Sequence, residues 1–206
     1  MVKWLITDQL IDYSNAVKFM KIKNKRIYSR LSDELVWLLQ HPSLYTAGIG
    51  VTDEEMIVKN LFPVYKTDRG GKYTYHGPGQ RIVYLMLNLR ERNKCDIRLY
   101  IRDLSDWIIN VLRYFNIIGE FRGDKIGIWV SNNGIMEKIA AIGIHIRKWV
   151  TYHGIALNVS PDLSHYRGII PCGLKDCGVT SMKKLGVEVS FSELDFLLKK
   201  EFYKIF

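Results

Sequence analysis

The segment from Asp96 to Phe115 places the strongest constraint on the fold, because its apolar residues recur at the spacing of an α-helix. Asp96 stands directly before the first of them, and its side chain is suited to cap a helix N-terminus. One face of this helix must therefore be buried against another layer of the protein. The apolar positions are Ile97, Ile101, Leu104, Ile108, Val111 and Phe115.

Strand-like runs lie on both sides of this helix. The run ELVWLLQHP predicts a short buried strand that ends at Pro42, and further strands are predicted at 81–89, 125–130, 138–150 and 152–159. The sequence SNNG at residues 131–134 is typical of a turn, so the two runs beside it should form a hairpin.

Two more helices are predicted near the ends of the chain. The first follows from the spacing of Val17, Met20, Ile27 and Leu31, and it should cover a sheet. The last begins at the capping pair Ser190 and Glu193 and continues through the stripe Leu194, Leu198, Phe202 and Ile205. The order helix, strands, helix, strands, helix predicts a mixed α+β architecture with a largely antiparallel sheet.

The chain contains no low-complexity linker, internal repeat or change of composition, which predicts a single domain over residues 1–206. No apolar run approaches the roughly 18 residues that cross a bilayer. The first residues resemble neither a secretory signal nor an organellar transit peptide. We therefore expect a cytoplasmic protein without a membrane partner.

The surplus of basic residues predicts an acidic partner, since 30 Lys and Arg face 21 Asp and Glu, a net charge of +9. Nucleic acid is one candidate. However, the densest basic cluster, KIKNKR, contains no aromatic residues for stacking on bases, and it is better interpreted as a solvated surface. We therefore expect no nucleic-acid partner, and keep a basic nucleic-acid-binding module as an alternative.

The stretch RGGKYTYHGPGQ at residues 69–80 is glycine-rich but matches neither common phosphate motif. It lacks the third glycine of a dinucleotide fingerprint and the GK[ST] end of a P-loop, and a strand-like run follows it instead of a helix. Gly70 and Gly71 would let a backbone turn sharply or approach a ligand closely. This pattern favours a binding loop for something less charged than a nucleotide.

A candidate nucleophile and a candidate activating group occur elsewhere. Cys172 stands between Pro171 and Gly173, a constrained context in which a thiol can project from the backbone. Lys138 is followed by small and apolar residues. A lysine there could accept a proton from the thiol if neutral, or stabilise the thiolate if charged, and the sequence leaves both roles open.

Metal binding is not predicted. Cys177 lies close to Cys172 and could resolve an oxidised thiol, but no matched CxxC pair is present, and Cys95 is interpreted as structural. The histidines are scattered instead of spaced as ligands on one element. They are His41, His76, His145, His153 and His165.

Taken together, these stretches resemble the lipoyl (octanoyl) transferases. The resemblance is carried by RGGKYTYHGPGQRIVYLMLNL, EKIAAIGIHIRKWVTYHGIALNV and IIPCGLKDCGVTSM, with weaker support from LLQHPSLYTAG and GIWV. The motifs follow the family's order and cover most of the chain. The resemblance implies the biotin and lipoate protein ligase-like α/β fold.

The same resemblance implies roles for individual residues. Cys172 would be the acyl-thioester nucleophile and Lys138 its activating partner, and Arg69 and His76 would position other groups. The residues that would line the acyl site are Arg69, Gly70, Gly71, Lys72, Tyr73, Thr74, Tyr75, His76, Ala141, Ile142, Gly143, Gly154, Ile155 and Ala156.

The implied reaction moves an octanoyl or lipoyl group from acyl carrier protein to a specific lysine of lipoyl domains, without a cofactor. The implied acceptors are the lipoyl domains of 2-oxoacid dehydrogenase complexes and the glycine cleavage H protein. The main alternative is an ATP-dependent lipoate or biotin protein ligase of the same fold. A cysteine hydrolase is a further alternative, although no Cys-His pair is indicated by motif context.

Overall fold

A mixed β-sheet separates two layers of helices. The computed structural model describes residues 1–123, 125–170 and 178–206. Within these ranges eight strands form the main sheet, in the order β1-β2-β6-β10-β9-β8-β7, with β11 paired to β9. The bounds are β1 Val2–Leu10, β2 Glu34–Gln40, β6 Gln80–Met86, β7 Gly119–Phe121, β8 Ile128–Asn132, β9 Ile135–Arg147, β10 Val150–Asn158 and β11 Gly178–Val179.

Most neighbouring strands of this sheet are antiparallel. The parallel pairs are β1 with β2 and β11 with β9. The remaining strands, β3 (Leu44–Ala47), β4 (Val64–Lys66) and β5 (Tyr73–His76), form a smaller sheet in the order β4-β3-β5. The predicted α+β class with a mostly antiparallel sheet is confirmed.

Each face of the main sheet is covered by different helices. Helix α1 (Tyr13–Tyr28) packs on one face through Ala16 and Met20. Helices α2 (Ile97–Arg113) and α3 (Phe191–Ile205) pack on the other, where Trp107 donates a hydrogen bond of 2.9 Å to the backbone oxygen of Leu198. Burying apolar area on both faces explains why the central strands are almost continuously apolar.

Several predicted boundaries change. The first helix ends at Tyr28 and not beyond Leu31, because Arg30 adopts a left-handed conformation with φ of 58°. The Leu31 N–H then bonds the Arg26 oxygen at 2.8 Å, and the Leu31 side chain is exposed. The chain also begins with strand β1, where the sequence interpretation had no strand, and Tyr73–His76 forms β5 instead of continuing a loop.

The hairpin and helix caps match their predictions. Asn133 and Gly134 both have positive φ, at 51° and 79°, as a two-residue turn between β8 and β9 requires. The Asp96 carboxylate accepts hydrogen bonds from the N–H groups of Arg98 and Leu99, and the Ser190 side chain accepts one from Glu193.

The cap of α2 gives a stability prediction. Asp96→Ala should lower the free energy of unfolding by about 1 kcal/mol, because two N–H groups of the first turn lose their acceptor. Denaturant unfolding would measure this. Asp106→Ala, an exposed position on the same helix, is the control and should change the value by less than about 0.5 kcal/mol. Equal effects at the two positions would contradict the capping role.

Candidate active site

A cavity of about 300 Å³ opens beside β9 and β10. The acyl-site residues proposed from the sequence line it, with the exception of Tyr75, and Lys138 lines it as well. Apolar and small side chains form its central wall, as expected for a pocket that takes an apolar ligand. The lining from the sequence proposal is Arg69, Gly70, Gly71, Lys72, Tyr73, Thr74, His76, Ala141, Ile142, Gly143, Gly154, Ile155 and Ala156.

Tyr75 belongs to a different cluster. It is buried with Tyr45 and Tyr166 beneath the smaller sheet. Its hydroxyl lies 3.0 Å from the Ser43 hydroxyl and 2.8 Å from Nδ1 of His165. Because side chains alternate along a strand, Tyr75 lies on the opposite face of β5 from His76.

An irregularity in β9 determines which face Lys138 occupies. Lys138 pairs with Trp129 of β8, but Ala140 pairs with Ile128, so Ile139 is an extra residue. Ile139 and Ala140 accordingly pack into the same core cluster although they are neighbours. This bulge shifts the alternation by one residue, so Lys138 shares the cavity face with Ala141 and not the core face with Ala140.

The Lys138 side chain is buried, with 5% of its surface exposed. Its Nζ donates a hydrogen bond of 2.9 Å to the Ile126 backbone oxygen and lies 4.6 Å from the centre of the Trp129 ring. Gly127 provides the space for this arrangement. A Cβ at Gly127 would lie 2.9 Å from Nζ and 2.8 Å from the Ala140 oxygen, and its φ of 144° suits glycine.

The predicted nucleophile Cys172 lies outside the described residues, as does Cys177. Backbone hydrogen bonds hold the residues on either side of this segment. Ile170 donates a backbone hydrogen bond of 2.8 Å to the Glu55 oxygen. Gly178 and Val179 pair with Glu137 and Lys138 of β9.

Arg69 holds the glycine loop against the smaller sheet. Its guanidinium donates to the backbone oxygens of Gly70, Thr46 and Lys72, each at 2.9 Å, and to the Thr46 hydroxyl at 2.7 Å. A Cβ at Gly143 would meet Arg69 Cδ at 2.9 Å, so the glycine lets the arginine cross β9. The Lys72 ammonium forms an ion pair with the Glu55 carboxylate.

His76 is buried in a polar chain that continues from Arg69. The Thr46 hydroxyl lies 3.3 Å from His76 Nε2, and Nδ1 lies 2.8 Å from Gln80 Oε1. The amide oxygen can only accept, so Nδ1 carries the proton and Nε2 accepts from Thr46. Burial holds the pKa of His76 well below its usual range, so the ring is neutral.

Asp68, directly before the glycine loop, ties that loop to β10. Its carboxylate accepts from the Tyr152 hydroxyl at 2.7 Å and lies 3.3 Å from His153 Nε2 and 3.0 Å from Lys21 Nζ. The His153 hydrogen bond is the largest cause that lowers the pKa of Asp68 far below its usual range. Burial lowers the pKa of His153 despite this partner.

Residues that the sequence interpretation did not select close the end of the cavity opposite Lys138. Gly154 of β10 pairs with both Gly143 and Tyr84. Because the bulge at Ile139 leaves four strand steps between Lys138 and Gly143, Tyr84 lies about 13 Å along the sheet from Lys138 at about 3.3 Å per step. Tyr84 and Tyr13 both line the cavity here.

His41 supports Tyr84 from behind. Its Nδ1 lies 2.6 Å from the Ile11 backbone oxygen, and its Nε2 lies 2.7 Å from the Tyr84 hydroxyl. Burial lowers the pKa of His41 to about 4. Tyr13, His41 and Tyr84 come from separate parts of the chain. Tyr84 stands within an apolar run and His41 follows one, whereas Tyr13 has no such signal in the sequence.

The residue pattern and the fold agree with comparisons to known proteins. The family model of the lipoyl protein ligase A/B catalytic domain matches residues 12–203. The chain belongs to this family. An octanoyltransferase of Wolbachia pipientis subsp. Culex pipiens (strain wPip) is 74% identical to this family member over 206 residues, which are 100% of both chains.

Solved structures of low identity share the family fold. A bi-partite lipoate protein ligase from Thermoplasma acidophilum has a TM-score of 0.72 at 16% identity, covering 98% of this chain and 82% of that one. A lipoate-protein ligase A bound with ATP has a TM-score of 0.70 at 18% identity, covering 98% and 84%. The predicted biotin and lipoate protein ligase-like fold is confirmed.

Residues 1–123, 125–170 and 178–206 contain no helix that could span a bilayer. The same residues contain no cluster of three or more His, Cys, Asp or Glu side chains suited to a metal ion.

The neutral histidines behind the cavity predict a pH-dependent stability. Since the pKa of folded His41 is about 4, below its ordinary 6.5, the unfolded chain binds more protons between these values. The stabilisation is present above about pH 6.5 and is lost as the pH falls toward 4. His41 alone should cost about 2 kcal/mol of unfolding free energy between pH 7 and pH 5.

Denaturant unfolding at the two pH values measures this effect, with His41→Gln as the comparison. The low pKa of Asp68 does not interfere, because its contribution is lost only at pH below about 4. The variant should lose less stability than the wild type between pH 7 and pH 5. An identical loss in both proteins would contradict the assignment.

Proposed function

We propose that this protein is an octanoyltransferase that carries the acyl group on Cys172 and passes it to a lysine of a lipoyl domain. The observation that carries the proposal is a largely apolar cavity lined by a buried lysine, Lys138, which pairs with Val179 shortly after the Cys172 segment. Relatives named octanoyltransferase match the entire chain, which supports the same reaction here.

The cavity suits a medium-length alkyl chain. Ala141, Gly143 and Gly154 remove side-chain volume from the cavity wall, while Ile82 supplies apolar surface on the face that Ala141 shares. Each methylene moved from water into such a site contributes about 0.8 kcal/mol. The six methylenes of an octanoyl group would therefore contribute about 5 kcal/mol to binding.

The basic side chains of the glycine loop favour transfer over nucleotide-dependent ligation. Arg69 donates to backbone oxygens of its own loop and of Thr46 in β3, and Lys72 is paired with Glu55. The loop therefore presents mainly backbone to a ligand, which suits an uncharged thioester better than a triphosphate. A ligase of the same fold remains the second candidate, because the shared family and fold include lipoate protein ligases.

The reaction would proceed in two balanced steps. The Cys172 thiolate attacks the carbonyl carbon of the donor thioester, and the carrier leaves as a thiolate that takes up a proton. The neutral amine of the acceptor lysine then attacks the new thioester, forms an amide and releases the Cys172 thiolate together with one proton. Thioester exchange conserves the bond type, so the first step needs no ATP.

Lys138 would assist both steps from its fixed position. Its contacts with the Ile126 oxygen and the Trp129 ring are ones that an ammonium makes. An ammonium there would stabilise the thiolate before attack, and its neutral form could accept the proton that the acceptor amine loses.

The partners follow from the same assignment. We infer that octanoyl-acyl carrier protein is the donor, because the net charge of +9 favours an acidic protein. The acceptors would be the lipoyl domains of 2-oxoacid dehydrogenase complexes and the glycine cleavage H protein. One catalytic domain over residues 1–206 would perform the reaction without a cofactor.

Intact-mass measurement after mixing with octanoyl-acyl carrier protein tests the covalent intermediate. We expect one octanoyl adduct without ATP, its loss in Cys172→Ser, and its retention in the matched variant Cys177→Ser. An adduct that survives Cys172→Ser would contradict the assignment. Transfer from free octanoate that depends on ATP would favour the ligase.

The position of Lys138 gives a second kinetic test. Lys138→Met should reduce octanoyl transfer at least about 100-fold, as the loss of a proton-transfer group does. Gly127→Ala should reduce it about tenfold, since the new methyl group displaces the ammonium or the neighbouring strand. Gly123→Ala, where a Cβ meets nothing within 4 Å, is the control. A wild-type rate in Gly127→Ala would show that this placement is not required.

A further inference from the structure

The end of the cavity opposite Lys138 is polar although its central wall is apolar. Tyr13, His76, Tyr84 and His153 all line the cavity, and ring contacts or hydrogen bonds through His41 connect the other three to Tyr84. The methyl end of an octanoyl chain would need none of these groups. A polar atom that has no hydrogen-bond partner within the protein is therefore the one that could bind a ligand at this end of the cavity.

Most of the polar atoms at this end already have protein partners. The His76 nitrogens interact with Thr46 and Gln80, the Tyr84 hydroxyl bonds His41, and His153 Nε2 faces Asp68. The hydrogen bonds of these groups connect the strands and the glycine loop to one another.

Tyr13 differs from these groups. The residue is 3% exposed, and its hydroxyl has no hydrogen-bond partner among the described residues. The ring is held by aromatic contacts, with centroids 5.3 Å from His41, 5.2 Å from Tyr65 and 6.3 Å from His76. A buried hydroxyl without a partner costs about 1–3 kcal/mol, so a fixed one beside a ligand cavity requires an explanation.

The protonation of the surrounding groups identifies the kind of partner that fits. Burial raises the pKa of Tyr13, so its hydroxyl keeps its proton and can donate. His76 and His153 are neutral for the same reason. The end of the cavity therefore offers a hydrogen-bond donor without a net positive charge on these rings, which suits a neutral acceptor atom better than an anion.

We propose that Tyr13 is a specificity-determining residue whose hydroxyl donates a hydrogen bond to an acceptor atom at the distal end of the bound acyl chain. The site would then take medium-length acyl groups with a terminal hydroxyl in addition to unsubstituted chains. This inference rests on the acyl-transfer function proposed above. It adds a second recognition point next to His41 and its partner Tyr84, and Tyr84 lies about 13 Å along the sheet from Lys138.

Two acyl groups of equal length separate the hydrogen bond from chain length. The 8-hydroxyoctanoyl and nonanoyl groups have the same number of non-hydrogen atoms, and only the first carries a distal acceptor. The measured quantity is the ratio of kcat/KM for the two acyl-carrier-protein thioesters. Tyr13→Phe should lower this ratio about 3- to 10-fold, the range for one hydrogen bond.

Tyr65→Phe is the matched control, because the Tyr65 ring contacts Tyr13 but does not line the acyl cavity. It should leave the ratio within twofold of the wild-type value. Thermal unfolding of both variants identifies a general loss of structure, which would lower both rates and leave their ratio unchanged. A ratio unaltered by Tyr13→Phe in a folded protein would overturn the proposal.

A binding measurement distinguishes failure of this inference from failure of the proposed function. Calorimetric titration with 8-hydroxyoctanoate and nonanoate needs no catalysis. We expect Tyr13→Phe to weaken binding of the hydroxylated acid relative to nonanoate by the same 3- to 10-fold factor. If no acyl thioester is transferred but this preference is found, the proposed function fails and the recognition by Tyr13 stands. If transfer occurs and neither measurement responds to Tyr13→Phe, only the inference fails.

Discussion

The extra residue at Ile139 is the constraint on which the site depends. In a regular strand Lys138 and Ala140 would lie on the same face, and Lys138 would enter the core between the sheet and helices α2 and α3. The bulge places Ile139 and Ala140 in that core together and leaves Lys138 on the cavity face. A single backbone irregularity thus provides both a continuous core and a buried lysine beside the cavity.

Glycines then determine how closely the backbones around the cavity approach one another. A Cβ at Gly154 would lie 2.2 Å from the Val83 oxygen, and one at Gly143 would meet Arg69. Gly143 and Gly154 are paired across β9 and β10. The absence of a side chain at Gly143 leaves room for Arg69, and its absence at Gly154 lets β6 approach closely at Val83. The small residues implied by the family resemblance therefore have a packing role as well as a role in leaving room for a ligand.

The sequence was sufficient where structure depends on neighbouring residues. The capped helix at Asp96 and the turn at Asn133 and Gly134 depend on local backbone preferences, and both were predicted. Strand β1 was missed because it is an edge strand with much of its surface exposed, so its apolar pattern is weak. Residues 69–80 were also interpreted as one loop. Strand β5 within this stretch places the side chains of Tyr75 and His76 on opposite faces, which a loop does not predict.

The far end of the cavity required long-range information. Tyr13, His41 and Tyr84 meet only because α1, β2 and β6 stack in the order that the sheet imposes, and no local pattern encodes that order. The cavity lining near Gly143 and Gly154 could be predicted from the sequence, because the family resemblance rests on ordered motifs that include these residues. Periodicity alone would have predicted two strands and given no reason to connect them with Arg69.

The fold alone does not distinguish a ligase from a transferase. The partners of the charged side chains near the cavity are a feature that can distinguish them. A site for a triphosphate needs cations and backbone donors that remain available to the ligand. Here Arg69 donates to the oxygens of Gly70, Thr46 and Lys72, and the ammonium of Lys72 meets Glu55. The cations of the glycine loop stabilise the loop itself, and the ligand would meet an apolar wall whose small residues fit an alkyl chain. An apolar wall beside cations that are already held by protein oxygens is the arrangement expected for an uncharged acyl thioester.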